Sequence, residues 1–88
     1  MSSHGFSSLA GRVVLVTGGS GHIGSTLARA FLEQGSLVAT ADIAEAPTFG
    51  DFHDRHVHLT VDLADPAAAS DLPERVLSEF GRLDIMVC

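Results

Sequence analysis

Short, continuous apolar runs alternate along this chain with stretches whose apolar residues recur at helical spacing. The first run, roughly Arg12 to Thr17, is Val13-Val14-Leu15-Val16 at its centre and shows no polar/apolar alternation, which predicts a strand covered on both faces. A helix is predicted from about Gly21 or His22 to Gln34. Ile23, Leu27, Ala28, Phe31 and Leu32 form its buried stripe, and Ser25, Thr26, Arg29 and Glu33 face away. Gly35 stands where a left-handed cap residue is expected. Leu37 to Asp42 reads as a second strand ending on a carboxylate. Residues 44 to 55, with Pro47 and Gly50, read as a surface connection with room for a short helical turn. His56 to Val61 is a third strand, followed by Asp62. Asp65 should cap a second helix whose first residue is Pro66. Pro73 would remove a hydrogen bond from the interior of that helix. A restart near Asp71 is therefore expected, capped by that aspartate, with Val76, Leu77 and Phe80 against the sheet and Gly81 at the end. A fourth strand begins at Leu83.

Strands alternating with helices imply an α/β fold with a parallel sheet. Right-handed crossovers give the strand order 3-2-1-4 and put the two helices on opposite faces. Residues 1 to 8 read as a loose lead-in, and residues 9 to 88 as part of one domain. Composition narrows the partners. The 88 residues are 45% apolar and 18% charged, with net charge −6, which disfavours nucleic acid or an anionic membrane as a partner. The lone cysteine, Cys88, cannot form an internal disulfide and fits a reducing compartment. With no secretory signal and no apolar run long enough to span a bilayer, a cytoplasmic location is expected.

Chemistry concentrates where the first strand hands over to its helix, at Thr17-Gly18-Gly19-Ser20-Gly21-His22-Ile23-Gly24. Glycine permits the sharp turn, a bare Gly21 lets a pyrophosphate approach the main chain, and Gly24 lets the helix pack closely. The free N–H groups at the helix start, with the positive end of the helix dipole behind them, suit an anion. His53, His56 and His58 form a second cluster. Two of them could project from one strand face toward a metal, but no third ligand is spaced to close a site, so no metal is expected.

With Asp42, Val61-Asp62-Leu63 and Phe80-Gly81-Arg82-Leu83-Asp84-Ile85, the glycine motif resembles the first half of a short-chain dehydrogenase/reductase, from about Leu9 to Cys88. The resemblance implies a Rossmann-type sheet, a nicotinamide cofactor, hydride transfer on a small alcohol or carbonyl substrate, and a homo-oligomer for the full-length protein. It places Gly18, Ser20, Gly21, His22, Ile23 and Gly24 at the pyrophosphate, Asp42 and Ile43 at the adenosine ribose, and Asp62 and Leu63 at the adenine. A carboxylate at 42 accepts from both ribose hydroxyls and repels a 2′-phosphate. No arginine or lysine stands at 19, 20 or 43, so NAD is expected over NADP.

The chain departs from the family's standard T-G-x-x-x-G-x-G pattern, which has glycine where this chain has His22. It satisfies the T-G-x-x-G-x-x-G spacing of the extended, epimerase-like branch. A sugar-nucleotide epimerase or dehydratase therefore stays open, as does a non-catalytic dinucleotide-binding regulator. His22 is either beside the phosphates or a solvated side chain at the helix start. Cys88 stands where the family lines the cofactor, and its thiol is expected to behave as a small buried hydrophobe. The family's catalytic tyrosine and lysine have no counterpart, since the chain contains neither residue type. No catalytic residue is therefore assigned. The chain also stops within an apolar strand, so an N-terminal fragment, marginally stable by itself, is expected.

Overall fold

A computed structural model of the chain describes residues 9–88, and the expected lead-in at 1–8 lies outside the described residues. The elements run β1 (Val13–Thr17), α1 (His22–Glu33), β2 (Leu37–Asp42), a 3-10 helix (Gly50–Arg55), β3 (His56–Thr60), α2 (Pro66–Ser70), α3 (Leu72–Phe80) and β4 (Ile85–Val87). The strands form one parallel sheet in the order β3-β2-β1-β4. Val13 pairs with Leu37, Val14 with Ile85 and Val38 with His56.

The unbroken apolar run of β1 serves both faces of the sheet. Val13 and Leu15 pack with Ala39, Ala41, Leu59 and Val61 against Leu72 and Val76 of α3. Val14 and Val16 pack with Val38 against Ala28 and Leu32 of α1 and against Phe49. The helices thus cover opposite faces, as right-handed crossovers require.

The end of α1 is closed by its own backbone. Gly35, at φ +93°, lets its N–H reach the Leu32 carbonyl (3.0 Å) and lets Ser36 N–H reach Phe31 (3.1 Å), the paired bonds of a Schellman cap. Arg55 adds bonds to the Ser36 and Leu32 carbonyls, at 2.7 and 3.0 Å.

Several expectations need correction. In α1, Ala28 and Leu32 are buried, but Ile23 and Leu27 are 74% and 38% exposed. Both line the open side of the helix near Val87 and Cys88, beyond the part of the sheet that α1 covers. Leu77 of α3 is likewise 46% exposed, while Leu72 takes a buried place. The 44–55 connection is more than surface, because Phe49 is buried and meets the His56 ring edge-on at 4.7 Å. The helix restarts after Asp71, as Pro73 demands, but Asp71 has helical backbone angles and its side chain caps nothing. Asp65 does cap α2, through Ala67 N–H at 3.1 Å. Strand β3 stops at Thr60, and β4 begins at Ile85 rather than Leu83.

Candidate functional site

The carboxyl ends of β1, β2 and β4 and the start of α1 converge on one side of the sheet. Gly18 turns the chain out of β1 at φ +72°. Its N–H bonds the Ala41 carbonyl at 2.7 Å, and its own carbonyl accepts from Gly21 N–H at 3.1 Å. A Cβ on Gly24 would lie 2.0 Å from the Gly18 carbonyl oxygen, so the helix can start this close to the turn only with glycine there.

The first intrahelical bond runs from Ser25 N–H to Gly21. His22, Ile23 and Gly24 therefore present their amides ahead of the helix, and no side chain caps it. Gly18, Gly21, His22, Ile23 and Gly24 line an open cavity of about 460 Å³ together with Thr17, Leu27 and the end of β4. A Cβ on Gly21 would meet nothing nearer than the Gly18 oxygen at 3.4 Å and would otherwise fill this space. The side chains of His22 and Ile23 are exposed.

Asp42 sits at the end of β2 with both carboxylate oxygens oriented by main chain. Ala44 N–H donates to Oδ1 (3.1 Å) and Ser20 N–H to Oδ2 (3.2 Å). The Ala44 bond does most to hold this carboxyl below its ordinary value. Partial desolvation opposes that, while Ser20, Ile43 and the neighbouring His58 add to the lowering. The group is ionised at neutral pH, with lone pairs left for further donors. Ser20 itself faces this turn rather than the cavity, because its hydroxyl donates to the Glu45 carbonyl.

Ile43 is exposed beside Asp42, and it does not line the cavity. Asp62 and Leu63 follow Val61, whose N–H bonds the Asp42 carbonyl at 3.1 Å, so they too sit at this end of the sheet. The Asp62 carboxylate accepts from Ala64 N–H at 3.0 Å in a local turn. Cys88 lines the cavity, but it is exposed rather than buried.

Sequence reasoning missed the contacts that support this turn from beneath and beside it. A Cβ on Gly19 would lie 2.4 Å from Thr40 Cβ, so the turn rests directly on the buried Thr40. Thr40 in turn bonds both His56 and His58, each at 2.8 Å. Thr17 Oγ1 donates to the Val87 carbonyl at 3.2 Å, joining the ends of β1 and β4. Burial, and then repulsion from His58, push His56 below the ordinary histidine value.

A parallel sheet ordered 3-2-1-4, with a glycine turn feeding an uncapped helix start and a strand-end carboxylate beside that turn, is a Rossmann-type fold. The chain belongs to the short-chain dehydrogenase family, whose sequence pattern it matches over residues 12–88. It is 38% identical over 86 residues to the short chain dehydrogenase/reductase dpmpG of Macrophomina phaseolina, covering 90% of this chain and 49% of that protein. It is 35% identical over 85 residues to a D-threitol dehydrogenase of Mycolicibacterium smegmatis, covering 90% and 33%. The crystal structure of a 3-ketoacyl-(acyl-carrier-protein) reductase from Brucella melitensis complexed with NADH superposes with a TM-score of 0.78 at 28% identity, over 89% of this chain and 34% of that one. The chain thus spans about half the length of the first relative and a third of the second. No helix among the described residues is long and apolar enough to cross a membrane.

Proposed function

We propose that these residues form the cofactor-binding half of a nicotinamide-dependent oxidoreductase that moves a hydride between an alcohol or carbonyl substrate and NAD, in preference to NADP. The observation that carries the reading is the Asp42 carboxylate, held ionised and oriented beside the glycine turn by the amides of Ala44 and Ser20. Two hydroxyls of an adenosine ribose can donate to its remaining lone pairs, whereas a 2′-phosphate would meet a fixed negative charge.

The site fits such a group. The amides of His22, Ile23 and Gly24 stand at the positive end of α1, and Gly21 leaves room for a pyrophosphate against bare main chain. Asp62 and Leu63, just past the end of β3, would meet the adenine. The nicotinamide, when bound, supplies the hydride chemistry, and this chain supplies binding and orientation. The family match over residues 12–88 supports the oxidoreductase class, and the NADH complex of the Brucella relative supports the cofactor type.

Calorimetry with NAD and NADP on the full-length protein tests the reading. NAD should bind more tightly, and joint replacement Asp42→Ala with Ile43→Arg should turn the preference toward NADP. A folded protein with no affinity for either dinucleotide would overturn it.

A further inference from the structure

The turn that carries Asp42 is fastened from two sides. Ser20 of the glycine turn bonds the Asp42 carboxylate through its N–H and the Glu45 carbonyl through its hydroxyl. From the other side, His58 Nε2 lies 3.1 Å from the Ala44 carbonyl. That carbonyl can only accept, so Nε2 carries the proton. In the neutral ring Nδ1 is then an acceptor, which the Thr40 hydroxyl fills at 2.8 Å. The Thr40 oxygen accepts in turn from His56 Nε2–H, also at 2.8 Å. One directed chain therefore runs His56 to Thr40 to His58 to Ala44, and Thr40 within it is the residue on which Gly19 rests. The same buried threonine supports both the phosphate turn and the ring that holds the Asp42 turn.

We propose that His58 is a positioning residue for the cofactor: by holding the Ala44 carbonyl it fixes the turn through which Asp42 meets the adenosine ribose and rejects a 2′-phosphate. This rests on the reading of Asp42 given above. His58 touches no cofactor atom in this role. It limits how far the Ala44 amide, and with it the carboxylate, can drift. Freed from that restraint, Asp42 loses its preset geometry toward the ribose hydroxyls and can swing away from a 2′-phosphate. NAD affinity then falls and discrimination narrows.

Calorimetry on the full-length protein with NAD and NADP, alongside thermal melts, tests this with two replacements of opposite design. His58→Gln keeps an N–H near the Nε2 position and can still reach Ala44. His58→Asn is too short to do so. His58→Gln should bind NAD within about threefold of wild type. His58→Asn should lose about five- to tenfold in NAD affinity, the worth of one preorganising hydrogen bond, with NADP affinity unchanged or improved. If His58→Asn does not fold, Thr40→Val reads the same chain from its buried end: it should narrow the NAD/NADP ratio, and Thr40→Ser should restore it. Wild-type discrimination retained in His58→Asn or in Thr40→Val, or equal losses in the Gln and Asn variants, would overturn the proposal while leaving the NAD assignment standing. A wild-type protein that binds neither dinucleotide would overturn the functional reading and this inference with it.

Discussion

Gly21 and Gly24 share a spacing motif but are required for different reasons. A Cβ on Gly24 would strike main-chain atoms of Gly18, the oxygen at 2.0 Å and the carbon at 2.7 Å, and neither can yield unless the turn opens. Gly24→Ala should therefore lower stability by about 1–3 kcal/mol, as overpacking does, and weaken NAD binding as well. Gly21 has φ −75°, and a methyl group there would find no atom closer than 3.4 Å, so alanine fits the folded chain. Gly21→Ala should leave the melting temperature within a degree or two, while NAD affinity falls about tenfold if, as proposed, the pyrophosphate takes the space that the methyl would fill. Thermal melts and calorimetry on both variants check the split, and a parallel fall in stability for Gly21→Ala would count against it. The need for glycine at 24 is legible in the sequence, because a helix that starts directly after a sharp turn leaves no room for a side chain there. That Gly19 rests on Thr40 is not legible. It depends on where β2 passes beneath the turn, which no local pattern records. The same holds for Ser20, whose spacing suggests a phosphate contact but whose two donors are spent on the Asp42 turn.

Among the elements, the break between α2 and α3 shows what propensity can and cannot supply. Pro73 tolerates only the first turn of a helix, so a restart is readable, and so is the Asp65-Pro66 start of α2. The role of Asp71 is not. A capping side chain needs extended backbone at its own residue, whereas Asp71 continues the helical angles of α2 (φ −83°, ψ −11°), and its carboxylate makes no capping bond to α3. Asp65→Ala should cost about 1 kcal/mol in urea unfolding. Asp71→Ala should stay within about 0.5 kcal/mol of wild type. Equal losses would mean that the side chain of Asp71 caps α3 in solution. The buried stripe of α1 fails for a related reason. Periodicity identifies the apolar face of a helix, but how much sheet lies beneath that face is a tertiary fact. Ala28 and Leu32 find strand under them, and Ile23 and Leu27 do not.

For the whole molecule, the strand order and the placement of one helical layer on each face follow from a single rule, the right-handed crossover, which is why they can be read from the alternation of patterns alone. The same topology leaves apolar surface on both sides of β4. Register puts Met86 on the face of Leu15, the α3 side, where Leu77 is also exposed, at 51% and 46% for Met86 and Leu77. On the α1 side, Ile23 and Leu27 border the cavity that Val87 lines. Large apolar side chains exposed on both faces in this way are seldom left in water by a stable monomer. The 88-residue chain prepared by itself should therefore bind a hydrophobic dye such as ANS, sediment as a concentration-dependent association, and melt over a broad range. Joint replacement of Leu77 and Met86 by glutamine should reduce both dye binding and association without lowering the melting midpoint, because neither side chain belongs to the buried core. A sharp, cooperative melt from a chain that sediments as a monomer and leaves the dye dark would show that the two helical layers already protect the sheet well enough for it to stand alone.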